Sequence, residues 1–401
     1  MSRARRSADT ENQIPLAEYP RPQLVRTEWM SLNGSWDLEI TDCRQHLPKR
    51  FTRTIIVPFA VETAASAVGT TVGPDELLWY RRTFSVPKEW SGRDVLLHFE
   101  AVDWKCKVFV NGELTGTHHG GYLPFTCNIT SHLQKQASQH EIVVRVGDPT
   151  DTGWQQCGLQ RLQPERGFHA ASSGIRQTVW LEPVPTRAIS DIILVPHCDT
   201  GVVAVSVIAT GGSRVLYTVL EAGRAIASRT ADPEETVELQ IPYPNMWHPD
   251  NPHLYRLKIA LYHGRTLTDS VESYFALRSF SSRTDRSGKS RFFLNNMPLL
   301  LNGVLYHPYW PGSGLTAPSD QAVRNDLELI RKMGFNSLRC HGAVASRRWY
   351  HHCDALGLLV VQDMVPNAGH RPHRRRTGMA SRQAYLQARR DTEASRSDFR
   401  R

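Results

Sequence analysis

The sequence predicts a mostly β protein in which two β-sandwiches precede a stretch of parallel βαβ units. Short segments of alternating polarity, separated by turn signals, fill the chain up to about residue 285, which is typical of strands that bury one sheet face. No convincing long helix is predicted before residue 300, and strand and helix patterns alternate after it. The length of 401 residues suits two or three domains rather than one.

The first predicted sandwich covers residues 29–185. Val108 and Val110 share one face of a strand that runs directly into Asn111-Gly112. This dipeptide is the strongest short hairpin signal, because both residues tolerate the positive φ of a type I′ turn. We therefore expect a tight hairpin at this position.

The second predicted sandwich covers residues 186–285. Apolar and charged residues alternate in one of its strands, which reads Tyr255, Arg256, Leu257, Lys258, Ile259. A block of roughly 100 residues with this strand spacing suits a small sandwich of the immunoglobulin-like kind.

The pattern changes in the third block, residues 286–370. The apolar run from 299 to 305 predicts a strand buried on both faces. Ser319 is a good N-cap for the first helix, and Gly334 and Gly357 end the two predicted helices. The strands that follow the helices are predicted over residues 336–341 and 358–363. This order indicates parallel βαβ units.

Two flanking segments differ in composition from the predicted domains. Residues 1–28 are polar and contain three prolines, so we interpret them as a lead-in segment. Residues 371–401 hold ten Arg against three Asp or Glu, a net charge of +7 out of +9 for the whole chain. Residues 1–370 are left nearly neutral, at +2, so the charge belongs to an Arg-rich tail. We expect no nucleic-acid partner for the folded body.

Composition and cysteine usage predict a soluble cytoplasmic protein with no membrane contact. Hydrophobic residues make up 40% of the chain and charged residues 22%. No stretch reaches the roughly 18 apolar residues that cross a bilayer, and the N-terminus lacks the apolar middle of a secretory signal. The seven cysteines show no framework of spacings, so free thiols are expected.

A series of short motifs runs through all three blocks. The motifs are Leu32-Asn33-Gly34-Ser35-Trp36, Leu78-Trp79-Tyr80-Arg81-Arg82, Gly174-Ile175-Arg176-Gln177-Thr178, Trp247-His248-Pro249-Asp250-Asn251-Pro252, Met333-Gly334-Phe335-Asn336 and Gly357-Leu358-Leu359-Val360. In this order they resemble glycoside hydrolase family 2, the β-galactosidase and β-glucuronidase family. The resemblance covers about residues 29–367. It implies a sugar-binding-type jelly-roll sandwich, an immunoglobulin-like sandwich and then an incomplete (β/α)8 TIM barrel.

The resemblance also implies hydrolysis of terminal β-glycosidic bonds with retention of configuration, which uses two carboxyl groups about 5–5.5 Å apart. In the family the acid/base Glu follows an Asn at the end of the fourth barrel strand, and the nucleophile Glu ends the seventh. The chain contains no Asn-Glu pair, and 116 residues from position 286 onward compare with roughly 250 for a full barrel. No catalytic residue is therefore assigned, and we expect the chain to be inactive alone.

Four residues at the ends of the predicted parallel strands are candidates for substrate binding: Arg339, His341, Asp363 and His307. Barrel enzymes place their sites at the carboxyl ends of the strands, and Arg339 and His341, two residues apart, share one side of their strand. The resemblance implies an Arg or His group and an acidic residue here. It also implies an Asp where Tyr306 stands. The alternative is structural, with Arg339 and Asp363 as an ion pair and His341 as a core histidine.

No metal or other cofactor is expected. His118 and His119 have no Cys or carboxylate at ligand spacing. Cys340 and His341 are adjacent on a strand and so point to opposite faces. Some members of the family bind Mg²⁺ or Na⁺ near the catalytic acid, which this chain lacks.

Three functions remain open from the sequence. The first is part of a glycoside hydrolase with a carbohydrate substrate, working as an oligomer or with a complementing chain that carries the remaining strands. The second is a non-catalytic carbohydrate-binding or interaction protein made of the two sandwiches. Trp79, Trp104 and Trp154 are its candidates for stacking on sugar; core packing is the better interpretation for Trp79, and Trp154 lies in an irregular loop. The third is a nucleic-acid binder that works through the tail, with salt-sensitive binding. We rank them in this order.

Overall fold

Short antiparallel strands make up most of the protein, as the alternating pattern predicts. The computed structural model describes residues 14–134, 137–285 and 287–367. The predicted Arg-rich tail, residues 371–401, lies outside the described residues, as do the first 13 residues of the lead-in segment.

The first sandwich lies between Met30 and Val184. Its strands are β1 (Met30–Ser31), β2 (Gly34–Asp42), β3 (Arg53–Val57), β4 (Glu76–Phe84), β5 (Asp94–Phe99), β6 (Val102–Asp103), β7 (Lys105–Val110), β8 (Glu113–His119), β9 (Phe125–Asn128), β10 (His140–Gly147), β11 (Gln160–Arg161), β12 (His169–Ala170), β13 (Gly174–Ile175) and β14 (Val179–Val184). A four-stranded sheet, β1-β14-β5-β9, faces a six-stranded sheet, β3-β2-β4-β10-β7-β8. Trp36, Tyr80 and Phe99 are among the buried residues of the core cluster.

The predicted Asn111-Gly112 hairpin is confirmed. These two residues alone join β7 to β8, with φ angles of 50° and 84°. Val108 and Val110 are fully buried in the core of the sandwich. The turn therefore sets the register that places this face of β7 inside.

The second sandwich follows directly. Its strands are β15 (Ala188–His197), β16 (Val202–Thr210), β17 (Arg214–Glu221), β18 (Arg224–Ala231), β19 (Val237–Gln240), β20 (Tyr255–His263) and β21 (Thr266–Phe275). The sheets are β15-β16-β19 and β18-β17-β20-β21. In β20, Tyr255, Leu257 and Ile259 are buried, whereas Arg256 and Lys258 are exposed, as the alternation predicts.

The third block contains a small antiparallel sheet and a parallel one. The antiparallel strands are β22 (Phe280–Thr284), β23 (Ser290–Leu294) and β24 (Met297–Leu299), and the parallel strands are β25 (Gly303–Tyr306), β26 (Ser337–Cys340) and β27 (Leu359–Gln362). Helices α1 (Asp320–Lys332) and α2 (Arg347–Leu356) connect the parallel strands. The predicted βαβ order is confirmed. The mostly β fold class, which ends in an incomplete TIM barrel, is confirmed with it.

The caps of both helices agree with the sequence. The hydroxyl of Ser319 accepts a hydrogen bond from the Ala322 amide at 3.1 Å, which satisfies one of the free amides of the first turn. Gly334, with φ of 89°, follows α1, and Gly357, with φ of 77°, is the C-cap of α2. Leu327 lies fully buried between α1 and the parallel sheet.

The apolar run from 299 to 305 does not form one strand buried on both faces, so that prediction is wrong. β24 ends at Leu299, and β25 begins in a different sheet at Gly303. Leu300 is 82% exposed and Leu305 is 57% exposed. The helices pack on the face of the parallel sheet that carries Val304, so Leu305, which points the other way, stays uncovered.

Residues 14–28 of the lead-in segment form a strap across the second sandwich. Leu24 is 2% exposed and belongs to the core of that sandwich. The Arg26 guanidinium pairs with the buried carboxylate of Asp269 and donates to the Ile189 carbonyl at 2.6 Å. The strap is therefore an integral part of the packing.

The strap also contacts the other two blocks. The Tyr19 hydroxyl donates to Glu182 of the first sandwich. Arg348 of α2 donates to the Tyr19 carbonyl at 3.1 Å, and the Gln23 side-chain Nε2 donates to the Arg347 carbonyl at 3.2 Å. One short segment thus ties together all three blocks.

Two expectations about the chain as a whole can be compared with the structure. All seven cysteines are free thiols, as predicted. Within the described residues, neither helix is both long and apolar enough to span a membrane.

Candidate functional site

The four predicted site residues meet at the carboxyl edge of the parallel sheet. His307, His341 and Asp363 each follow directly after β25, β26 and β27, and Arg339 lies within β26. The parallel register aligns Tyr306 with Cys340 and Cys340 with Gln362, so the three strands end together. The structure thus places all four residues at this edge of the sheet, while their role in binding stays a prediction.

Asp363 is the centre of this group. The Arg339 Nε donates to both of its carboxylate oxygens, at 2.9 and 3.1 Å, and the His341 Nδ1 lies 2.5 Å from Oδ2. These hydrogen bonds, that from Arg339 first, hold the pKa of the Asp363 carboxyl below its usual value. Asp363 is therefore an ionised acceptor across the neutral pH range.

Both structural alternatives raised by the sequence can be compared with this geometry. The ion pair between Arg339 and Asp363 exists, but the Arg339 side chain is 57% exposed, so the pair lies at an open surface. The His341 side chain is 32% exposed and is not a core histidine. Because the donors of Arg339 are not all used by Asp363, a ligand can reach the guanidinium from solvent.

His307 extends the group toward the first sandwich. Its ring centroid lies 5.3 Å from that of His341, and its Nδ1 lies 3.3 Å from Nε2 of His169. Tyr309 stacks on His169 with centroids 4.1 Å apart. Burial lowers the pKa of both His307 and His169, and the charge of the neighbouring histidine adds to the effect in each case. The neutral rings can each donate and accept one hydrogen bond.

His169 and Tyr309 were not predicted as site residues. His169 is about 140 residues away from His307 in sequence, in the short strand β12 of the first sandwich. No local pattern shows that this strand packs on the parallel sheet, so the contact appears only in the folded chain.

The rim loop, residues 148–168 of the first sandwich, carries β12 to this edge. The amides of Cys157 and Gly158 donate to the Pro366 carbonyl at 3.2 and 3.0 Å, and Gln156 forms a β-bridge with Asn367. Gly158 also lies against Gly342, the residue after His341. The loop is thus fixed to the segments that follow β26 and β27.

Replacing Gly158 by Ala is expected to detach the rim loop. The added Cβ would lie 2.0 Å from the Gly342 carbonyl oxygen and 2.8 Å from the Tyr122 hydroxyl. Overpacking of this kind costs about 1–3 kcal/mol. We expect faster hydrogen–deuterium exchange at the Cys157 and Gly158 amides, measured by mass spectrometry or NMR.

Gly167→Ala is the matched control for this change. Gly167 lies in the same loop and also has a positive φ, +90°, but nothing lies within 4 Å of its added Cβ. Backbone strain is therefore common to both variants, and only Gly158→Ala adds a clash. Equal exchange rates in the two variants would show that the contact with Gly342 does not hold the loop.

A buried polar network joins the rim loop to the rest of the first sandwich. The Gln160 side-chain Nε2 donates to Asp103 at 2.9 Å, and its Oε1 accepts from the Ser172 amide at 2.7 Å. Asp148 accepts from the Ser173 hydroxyl at 2.7 Å. Burial raises the pKa of both Asp103 and Asp148, and the charge of Asp148 raises that of Asp103 further. The guanidinium of Arg176 lies 3.7 Å from Asp103, and its positive charge offsets part of the rise in the Asp103 pKa.

Metal binding was not expected, and the described residues contain no group of three or more His, Cys, Asp or Glu side chains arranged to hold a metal ion. His118 stacks on Phe125 with centroids 4.3 Å apart, and its Nε2 contacts the Gly120 carbonyl at 3.0 Å. His118 therefore has a packing role. The chemistry that the site offers is hydrogen bonding by one carboxylate, one guanidinium and neutral imidazoles.

Comparison with known protein families agrees with this architecture, domain by domain. A model described as the sugar binding domain of glycosyl hydrolases family 2 matches residues 29–183. A second model of glycosyl hydrolases family 2 matches residues 192–278, and the model of the family's TIM barrel domain matches residues 287–392. Together the three models cover most of the chain in the order of its domains.

Individual relatives are similar over the same region. A β-galactosidase of Thermoanaerobacter pseudethanolicus is 27% identical over 302 residues, which cover 71% of this chain and 39% of the relative. A β-glucuronidase of Mus musculus is 27% identical over 322 residues, which cover 73% of this chain and 48% of the relative. The chain thus spans less than half the length of either relative.

A solved structure shows the same fold. It is a β-glucuronidase from Ruminococcus gnavus in complex with C6-substituted uronic isofagomine, and it superposes with a TM-score of 0.72 at 22% identity. The superposition covers 88% of this chain and 61% of the other. Three domain models of one family, matched in sequence order, show that this chain belongs to glycoside hydrolase family 2.

Proposed function

We propose that this chain forms the substrate-binding edge of a retaining glycosidase that acts on terminal β-galactosides or β-glucuronides. The observation that carries the proposal is the ionised carboxylate of Asp363, held by Arg339 and His341 at the carboxyl edge of the parallel sheet. Sugar hydroxyls both donate and accept hydrogen bonds, so they match a site with an acceptor carboxylate beside guanidinium and imidazole donors. The names of the two relatives support this substrate class.

Each site residue has a defined part in this proposal. Asp363 accepts hydrogen bonds from a sugar hydroxyl, and Arg339 uses its exposed donors on a hydroxyl or carboxylate oxygen. His307 and His169, as neutral rings, bind neighbouring hydroxyls. The rim loop holds His169 in place, so the first sandwich contributes to the same pocket.

We further propose that the chain does not hydrolyse glycosides by itself. Retaining hydrolysis needs a nucleophile and an acid whose pKa is raised. The pKa of Asp363 is lowered, because Arg339 and His341 donate hydrogen bonds to its carboxylate, so Asp363 is a poor proton donor. The chain also has no Asn-Glu pair.

The catalytic carboxylates would then belong to barrel strands outside these 401 residues, which a complementing chain could supply. The face of the parallel sheet opposite the helices supports this proposal. Leu305 and Val361 on this face are 57% and 47% exposed, and both flank Arg339 in the strand register. A barrel buries such side chains in its interior.

The test is a comparison of binding and turnover by the purified 401-residue chain. We expect no hydrolysis of chromogenic β-galactosides, β-glucuronides or β-mannosides, together with saturable binding of methyl β-D-galactoside or methyl β-D-glucuronide in calorimetry. Asp363→Asn should weaken that binding roughly 10-fold or more, because a charged acceptor becomes a neutral amide.

Asp37→Asn is the matched control, since Asp37 also pairs with an Arg, at 2.9 Å, but lies on the exposed face of β2. Turnover that persists through further purification would contradict the assignment of catalysis to other strands. Absence of binding to both methyl glycosides would contradict the proposed site. Binding without turnover under every condition of complementation would favour the second candidate, a non-catalytic carbohydrate-binding protein.

A further inference from the structure

Trp154 stands apart from most tryptophans of the chain. Its side chain is 83% exposed, whereas Trp36, Trp180, Trp247 and Trp349 are at most 1% exposed. Leaving an indole in water forgoes the favourable burial of a large apolar surface. An exposed tryptophan in a hydrogen-bonded loop is therefore a candidate for binding a ligand.

The loop around Trp154 is built from local hydrogen bonds. The Asp148 carboxylate accepts from the Thr150 amide at 2.7 Å, and the Thr152 amide donates to the Pro149 carbonyl at 2.9 Å. The Gln155 side chain donates to the Thr150 carbonyl at 2.5 Å. These turns fix the backbone that carries Trp154, so the loop itself need not be ordered when a ligand covers the ring.

Trp154 is also connected to the candidate site through the rim loop. It is two residues from Gln156, which forms the β-bridge with Asn367, and Asn367 is four residues beyond Asp363. The same rim loop leads into His169, which contacts His307 of the site. The rim loop therefore carries Trp154 and also connects to both Asn367 and His169.

We propose that Trp154 is a stacking platform for a second sugar ring, next to the terminal sugar bound by Asp363. The inference rests on the proposed function and extends it to substrates that are oligosaccharides. The C–H face of a pyranose is apolar and covers an indole face, while its hydroxyls at the ring edge stay in water or meet polar groups.

The experiment compares one-ring and two-ring ligands on the full chain by calorimetry. The pairs are methyl β-D-galactoside with lactose, and methyl β-D-glucuronide with a disaccharide that ends in β-linked glucuronic acid. We expect the two-ring ligand of the preferred pair to bind roughly 3- to 10-fold more tightly, as an aromatic stacking contact predicts. Trp154→Ala should remove this difference and leave the binding of the methyl glycoside unchanged, whereas Trp154→Phe should keep most of it.

Tyr243→Ala is the control, because Tyr243 is 98% exposed but lies in a loop of the second sandwich. Equal affinity for one and two rings in the unmodified chain, or no loss in Trp154→Ala, would overturn the platform and leave the proposed function standing. Loss of self-association in Trp154→Ala, with sugar affinity unchanged, would assign the ring to a protein interface and also overturn it. If none of the four ligands binds, both proposals are overturned together.

Discussion

Arg176→Ala is expected to destabilise the first sandwich by about 3–5 kcal/mol, the range for removing one partner of a buried ion pair. The Arg176 side chain is 1% exposed, and its Nε lies 3.7 Å from Asp103. It also donates to the Gly121 carbonyl and lies over the Tyr122 ring, 4.4 Å from its centroid. Removal would leave the buried Asp103 close to Asp148 without a compensating charge.

The loss can be measured by urea unfolding, with tryptophan fluorescence and circular dichroism recorded together. Arg81→Ala is the control, because its ion pair with Asp37 is exposed and is expected to contribute less than about 1 kcal/mol. A double variant, Arg176→Ala with Asp103→Asn, should recover part of the stability, since the uncompensated charge is gone. Equal losses for Arg176→Ala and Arg81→Ala would contradict the assignment.

Glu100→Gln is expected to stabilise the protein above neutral pH, by up to about 3 kcal/mol. Glu100 is 5% exposed, and its Oε1 has no hydrogen-bond partner among the described residues. Burial raises the pKa of Glu100 to about 7, and the nearby charges of Arg347 and Arg348 offset only part of the effect. The folded protein therefore holds a carboxyl group that resists ionisation.

The direction of the pH dependence follows from this raised pKa. At pH 4.5 Glu100 is protonated in the folded state, whereas in the unfolded state, where the glutamate pKa has its ordinary value of 4.5, the group is half ionised. As the pH rises toward 7, the unfolded state loses the proton more readily, so stability falls across that window and levels off above it. Glu100→Gln removes the ionisation, so its advantage over the unmodified chain should be small at pH 4.5 and largest at pH 8.

Unfolding free energies at several pH values check this expectation. Glu238→Gln, at an exposed position of β19, provides the matched change on the surface. The Glu238→Gln variant should follow the unmodified chain at every pH. A difference between Glu100→Gln and the unmodified chain that does not vary with pH would contradict the assignment to Glu100.

The two sandwiches were predictable because their signals are local. Alternation in β20 and the Asn111-Gly112 turn report directly on which face of a strand is buried. The prediction for the apolar run at 299–305 was wrong because hydrophobicity shows only that a residue can be buried. Whether Leu305 is buried depends on what packs on the far face of the sheet.

The site was predictable in part for the same reason. Arg339, His341, Asp363 and His307 follow parallel strands, and the geometry of a parallel sheet brings such positions together. His169 could not be found in this way, because it reaches the site through the rim loop, whose contacts with Pro366 and Gly342 join distant parts of the chain. The buried network around Arg176 has no sequence signature either.

The strap has a consequence for the order in which the protein forms on the ribosome. Tyr19 is synthesised early, but the side chain of Arg348 that holds its carbonyl appears 329 residues later. At synthesis rates of about 5–20 residues per second, this interval is on the order of 15–65 s. During that time the strap has only part of its final contacts, so a chaperone or a protease has its longest access to the segment that all three blocks contact in the finished protein.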